Sequence, residues 1–158
     1  MKKSKQALYL LLSLIVVVID QLIKLNVVQH LRVGESKTII PNILSFYYLR
    51  NNGAAWNIFS GQMYFFYLIS VIAIIAVLYF LFNPKYKSKT FDIGLALILG
   101  GIIGNFIDRV RLHYVVDMMQ LDFINFNIFN FADSCITVGV MLVFIYLLFI
   151  DGKDKKKA

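Results

Sequence analysis

Met63 to Phe82 is a run of twenty residues without one charged side chain, and no other feature of this chain limits its fold so sharply. A helix of that length rises about 30 Å, the thickness of a bilayer's hydrocarbon core. Three further apolar runs flank it, at about 6–28, 91–107 and 129–150. Lipid offers no partner for backbone N–H and C=O groups, so each run must close its own hydrogen bonds as a helix. The expected architecture is one all-α integral membrane domain of four transmembrane helices spanning residues 1–158. Hydrophobic residues make up 59% of the chain, above the roughly 45–50% of soluble domains.

Charge orients the spans. The net charge is +7, and ten of the sixteen basic residues fall in three clusters: Lys2, Lys3, Lys5; Lys85, Lys87, Lys89; and Lys153, Lys155, Lys156, Lys157. Each abuts an apolar run, the pattern of cytoplasmic flanks. Both termini are therefore expected in the cytoplasm, with outside segments at 29–62 and 108–128. No basic groove with interleaved aromatics accompanies the charge, which argues against nucleic acid. The start of the chain imitates a signal peptide. No small-x-small site follows it, and the run meets Asp20, Gln21 and Lys24, so an uncleaved first span is expected. The one cysteine, Cys135, allows no intramolecular disulfide, and His30 and His113 lack partners at metal-ligand spacing. No metal or other cofactor is implied.

The outside segments carry strand and turn signals. Val33 to Ser36 reads as a turn, and Thr38 to Leu49 is β-branched and aromatic, broken by Pro41-Asn42. A small twisted sheet on the membrane surface fits, since an open sheet edge cannot lie in lipid. Asn52-Gly53 marks another turn, and Ala54 to Phe59 reads as a brief interfacial helix bearing Trp56 and Phe59. Leu121 to Ile128 alternates partly and is expected to add a strand. Gly94, Gly100, Gly101 and Gly104 on the third span allow close helix approach.

Four of the nine carboxylates, Asp108, Asp117, Asp122 and Asp133, lie in the stretch from Gly104 to Ser134. The outer ends of all four helices gather Asp108, Asp117 and Asp133 with Asp20, Lys24, Arg50, Asn51, Asn105, Arg109 and Asn130. Carboxylates at that depth cost several kcal/mol or more, so they point to function. Asp133 follows Asn130 by three residues, which helix capping alone would explain. Asp20 and Lys24, four apart, could be an ion pair reaching for the surface or a wall of a site. Asp117 sits in an apolar run, Val115-Val116-Asp117-Met118-Met119, with no such excuse. Beside Asp133 it would form a pair of carboxyls sharing a proton, able to activate water and protonate a leaving amine. Cys135 and Ser134 lack a histidine neighbour or a glycine elbow, and His113 has no catalytic partner. A transporter would carry mid-membrane polar residues and repeats; the second span has essentially no such residues, and the sequence has no internal repeat. A non-enzymatic module binding lipid-anchored proteins is the other alternative.

Five blocks together resemble the bacterial lipoprotein signal peptidases, or signal peptidase II family, over nearly the whole chain. They are Asp20-Gln21-Leu22-Ile23-Lys24, Arg50 to Trp56, Gly104 to Arg109, Val115-Val116-Asp117 and Phe129 to Ser134. The resemblance implies a four-helix membrane aspartic endopeptidase in the bacterial cytoplasmic membrane, with a small β-cradle and an interfacial helix on the outer face. It implies prolipoprotein substrates, cut before a diacylglyceryl-modified cysteine, and inhibition by globomycin-type compounds. By match, Asp117 and Asp133 are the catalytic pair. Asn51, Asn105, Arg109 and Asn130 are supporting polar residues, with Asp108 in the same block, and Asp20 and Lys24 build the site. A monomer surrounded by membrane lipid suffices. Asn57 departs from the pattern, where a small residue is expected.

Overall fold

The computed structural model describes residues 2–53, 59, 61–83 and 88–150. Element order is α1 (Lys2–His30), β1 (Ser36–Ile40), β2 (Leu44–Asn51), α2 (Met63–Phe82), α3 (Lys89–Leu112), β3 (Val115–Leu121) and α4 (Phe131–Ile145), whose path continues through a π-helical turn at Tyr146–Ile150. Among the described residues four helices are long and apolar enough to cross a membrane. The brief helix expected at 54–59, with Trp56 and Asn57, and the lysines at 85, 87 and 153–157 lie outside the described residues, Phe59 apart.

In α1 the buried positions are Ser13, Val16, Asp20, Lys24 and Val27. Their spacing of three or four puts them on one stripe, while Leu8, Leu14, Val18, Leu22 and Leu25 are exposed on the others. The helix can thus present leucine and valine to lipid and still carry an aspartate and a lysine. α2 is apolar all round and mostly exposed, as a peripheral span should be, whereas half of α3 is buried. α3 packs against all three other helices.

Close approach of α3 and α4 depends on two facing glycines. A Cβ on Gly139 would stand 2.6 Å from Gly94 O, and one on Gly94 would stand 2.8 Å from Gly139 O. Backbone meets backbone there. Away from the sheet, Val77, Leu81, Phe91, Leu95, Leu99 and Tyr146 form the core of the bundle. Ser13 Oγ donates across it to Ala96 O at 2.9 Å.

The three strands form one antiparallel sheet in the order β1-β2-β3. Its inner face packs Tyr48, Val116 and Met118 on Val27 of α1. The third strand lies earlier than the alternation suggests: it covers Val115–Leu121, and residues 122–128 are turn and irregular chain. Val115 to Met118 are all buried because α1 covers one face and the polar cluster the other. A strand enclosed on both sides does not alternate. Past it, Phe129 forms an isolated bridge with Met119, and Asp122 N donates to Ile43 O at 3.0 Å.

The third helix also runs past Ile107 to Leu112, so Asp108 and Arg109 are helical residues. It ends at His113, whose left-handed backbone (φ 62°) lets its N–H donate to Arg109 O at 3.1 Å. β3 therefore starts within a few residues of α3, and Asp108 reaches it.

Candidate active site

Asp133 stands in the first turn of α4, held by a reciprocal cap. Asn130 Oδ1 accepts from Asp133 N at 2.9 Å, and Asp133 Oδ2 accepts from Asn130 N at 3.2 Å. The helix N-terminus favours its negative charge. Because Asn130 spends its oxygen on the cap, its amide nitrogen faces inward. There Asn130 Nδ2 donates to Asp117 Oδ1 at 2.7 Å and to Asn105 Oδ1 at 3.0 Å. Capping and site-building are one arrangement here.

Asp117 is set by the sheet. It pairs with Leu49, and Asn51 two residues further along β2 is its diagonal neighbour. Asn51 Nδ2 donates to Asp117 Oδ2 at 2.8 Å, while Asn51 Oδ1 accepts from Gly53 N at 2.9 Å. Only 1% of Asp117 is exposed. Burial raises its carboxyl to about 7, and the nearby Asp133 carboxylate pushes the same way, against the Asn51 and Asn130 donors and the more distant Lys24 charge.

Asn105 joins the two acids to a buried ion cluster. Lys24 can only donate, and its Nζ lies 2.8 Å from Asn105 Oδ1. That turns Asn105 Nδ2 toward Asp133 Oδ1, at 2.7 Å. Lys24 Nζ also lies 2.8 Å from Asp20 Oδ2 and 2.9 Å from Asp108 Oδ2. Gln21 Nε2 donates to Asp108 Oδ1 at 2.9 Å. Gly104 makes room, since a Cβ there would stand 2.6 Å from Asp20 Oδ2.

Arg109 borders the pair without bonding to it. Its guanidinium lies 4.9 Å from the centre of the Phe66 ring, and Nη1 donates to Asn105 O at 3.4 Å. Arg109 forms no ion pair among the described residues, and its buried Nε has no hydrogen-bond partner there. Arg50, by contrast, turns away toward Tyr48 Oη at 3.3 Å and the Tyr114 ring at 4.9 Å. Ser134 Oγ is bonded to Asn130 O at 3.2 Å, Cys135 is buried, and His113 Nδ1 meets Tyr67 Oη at 3.1 Å. Among the described residues no group of three His, Cys, Asp or Glu side chains could hold a metal ion.

The signal peptidase (SPase) II family matches residues 12–149. This chain belongs to the signal peptidase II family. It is 68% identical over 154 residues to a lipoprotein signal peptidase of Lactobacillus johnsonii, covering 98% of this chain and 100% of that one. It is 50% identical over 149 residues to one of Enterococcus faecalis, covering 94% and 92%. A solved bacterial membrane enzyme superposes with a TM-score of 0.86 at 39% identity, over 90% of this chain and 88% of that one. A second superposes at 0.84 and 38% identity, over 91% and 94%. The chain is thus a multi-pass bacterial membrane peptidase of the signal peptidase II family.

Four parts of the site escape the residue reading. Gln21 sits beside Asp20 in the first sequence block, which was the available signal. The Phe66 ring and the backbone N–H groups of Val116 and Ala132, which donate to Asp108 and Asp20, carry no signal, because contacts between distant segments place them.

Proposed function

We propose that this signal peptidase II is an aspartic endopeptidase that removes signal peptides from prolipoproteins, cleaving before the lipid-modified cysteine. What carries the reading is the amide circuit around two carboxyls: Asn51 and Asn130 on Asp117, Asn105 and the Asn130 backbone on Asp133. Those donors fix the orientation of both acids and leave their remaining lone pairs for water. The names of the relatives, lipoprotein signal peptidases, supply the substrate class.

The pair holds one proton between its members. Water lodged between them gives a proton to one carboxylate as its oxygen attacks the scissile carbonyl carbon. The tetrahedral oxyanion takes hydrogen bonds from the unengaged N–H groups of Arg109, each such donor worth several kcal/mol. The other carboxyl then protonates the amide nitrogen and the C–N bond breaks. The products are a signal peptide with a new carboxylate and a lipoprotein with a free amine on its modified cysteine. No covalent intermediate forms. A lipid-bearing substrate stays in the bilayer, so its scissile bond is met at the membrane surface. The lysine clusters favour the outer face for this site, with both termini cytoplasmic.

Cleavage of a diacylglyceryl-modified prolipoprotein by purified wild type, Asp117→Asn and Asp133→Asn tests this reading. Each variant should lose cleavage by about 1,000-fold or more, the scale of acid–base catalysis, while remaining folded. In the same assay Arg109→Gln should lower kcat more than it raises KM. Wild-type turnover in either aspartate variant would remove the pair from the mechanism.

A further inference from the structure

The geometry points to Lys24 as the positioning residue that sets Asp117 and Asp133 in register with each other, an inference that rests on the two-aspartate reading above. Asp20 Oδ1 accepts from the backbone N–H of Ala132, the residue before Asp133, at 3.0 Å. Asp108 Oδ2 accepts from the backbone N–H of Val116, the residue before Asp117, at 3.1 Å. Each acid of the pair thus follows a residue whose backbone is gripped by a second, buried carboxylate. Both of those carboxylates are held by the same ammonium, Lys24 Nζ, at 2.8 and 2.9 Å.

The remaining Lys24 contact goes to Asn105 Oδ1 at 2.8 Å, which fills the three donors of an ammonium. That contact, together with the Asn130 Nδ2 donor on the same oxygen at 3.0 Å, sets which end of the Asn105 amide faces Asp133. Were the amide reversed, its oxygen would confront the Asp133 carboxylate and its nitrogen the ammonium. Lys24 touches neither reacting acid. It acts through three intermediaries that lie on α1 and α3 and reach β3 and α4. Lys24 is 3% exposed and Asp20 is 0% exposed, so solvent does not compete for these bonds.

Removing the lysine alone would leave two buried carboxylates facing each other, an unfolding hazard unrelated to catalysis. Asp20→Asn with Lys24→Met removes one charge of each sign, and the amide oxygen can still accept from Ala132 N. In this double variant kcat per folded molecule should fall about 100-fold, the cost of a misplacement near 1 Å, with KM changed less than about threefold. Asn105→Ala, made alone and in the double variant, supplies the second readout. If Lys24 acts through Asn105, the combined loss falls well short of the product of the separate losses.

Wild-type kcat in the charge-compensated variant, or losses that multiply in full, would overturn the assignment while Asp117→Asn stays inactive. If Asp117→Asn itself cleaves normally, the two-aspartate reading falls first and this one with it. Should the methionine variant fail to fold, Asp20→Asn with Lys24→Gln makes the same comparison. Its side chain ends about one bond short of the position that Lys24 Nζ occupies, 2.8 Å from Asn105 Oδ1.

Discussion

At the scale of single residues, the cost of the site is concentrated in Asp117. A carboxyl that titrates at about 7 when folded and at 3.8 in a model peptide holds an extra proton in the native state between those values. Its contribution to stability is therefore full below about pH 4 and declines as the pH rises toward 7. Asp117→Asn does not titrate, so its melting temperature minus that of wild type should climb across this window and level off above about pH 8. The rise should be on the order of 5 °C or more, whatever constant offset follows from setting an amide against Asn51 and Asn130. A flat difference from pH 4 to 8 would mean that Asp117 is not held up by burial. Much of this was legible in the sequence, because an acid between Val116 and Met118 has few innocent explanations. The orientation of Asn105 was not, since it depends on donors from Lys24 and Asn130, 81 and 25 positions away in sequence.

Among the elements, α3 and α4 carry the greatest constraint, because each brings one end of the 2.7 Å Asn105–Asp133 bond. Gly139→Ala would put a methyl 2.6 Å from Gly94 O and 2.7 Å from Ile98 Cγ1. The first of these atoms is backbone and cannot rotate aside, so the helices must part. Overpacking of this kind costs about 1–3 kcal/mol, and Gly139→Ala should melt roughly 3–10 °C below wild type. Prolipoprotein cleavage should fall with it, while Val138→Ala, on an exposed position next door, should change neither. Equal behaviour of the two variants would show that the glycine contact does not hold the helices. Helix existence was readable from apolar runs, but ends were not. The charge on Asp108 interrupts the apolar run and suggests that the chain leaves the helix there; in the fold that charge turns inward to Lys24. The third strand was misplaced for a related reason, as burial on both faces erased its alternation.

For the whole molecule, the question is which membrane face the site occupies. The sheet, the Asn51–Asp117 contact and the start of α4 gather at one end of the bundle, and, among the described residues, Lys5 and Lys89 lie at the opposite ends of α1 and α3. Lysine and arginine excess marks the cytoplasmic side, so on the proposed reading the sheet lies outside. Single cysteines test this directly, because the native Cys135 is buried and should give little background. Ser36, on the exposed β1 edge, and Lys89, at the exposed start of α3, lie on opposite sides in this arrangement. In intact cells stripped of wall, a membrane-impermeant maleimide should label Ser36→Cys. Lys89→Cys should react only after the membrane is opened. The reverse pattern would place the acids on the cytoplasmic side. Exported prolipoproteins would then have to present their cleavage site before crossing, and the surface-cleavage reading would fail even with both aspartates essential.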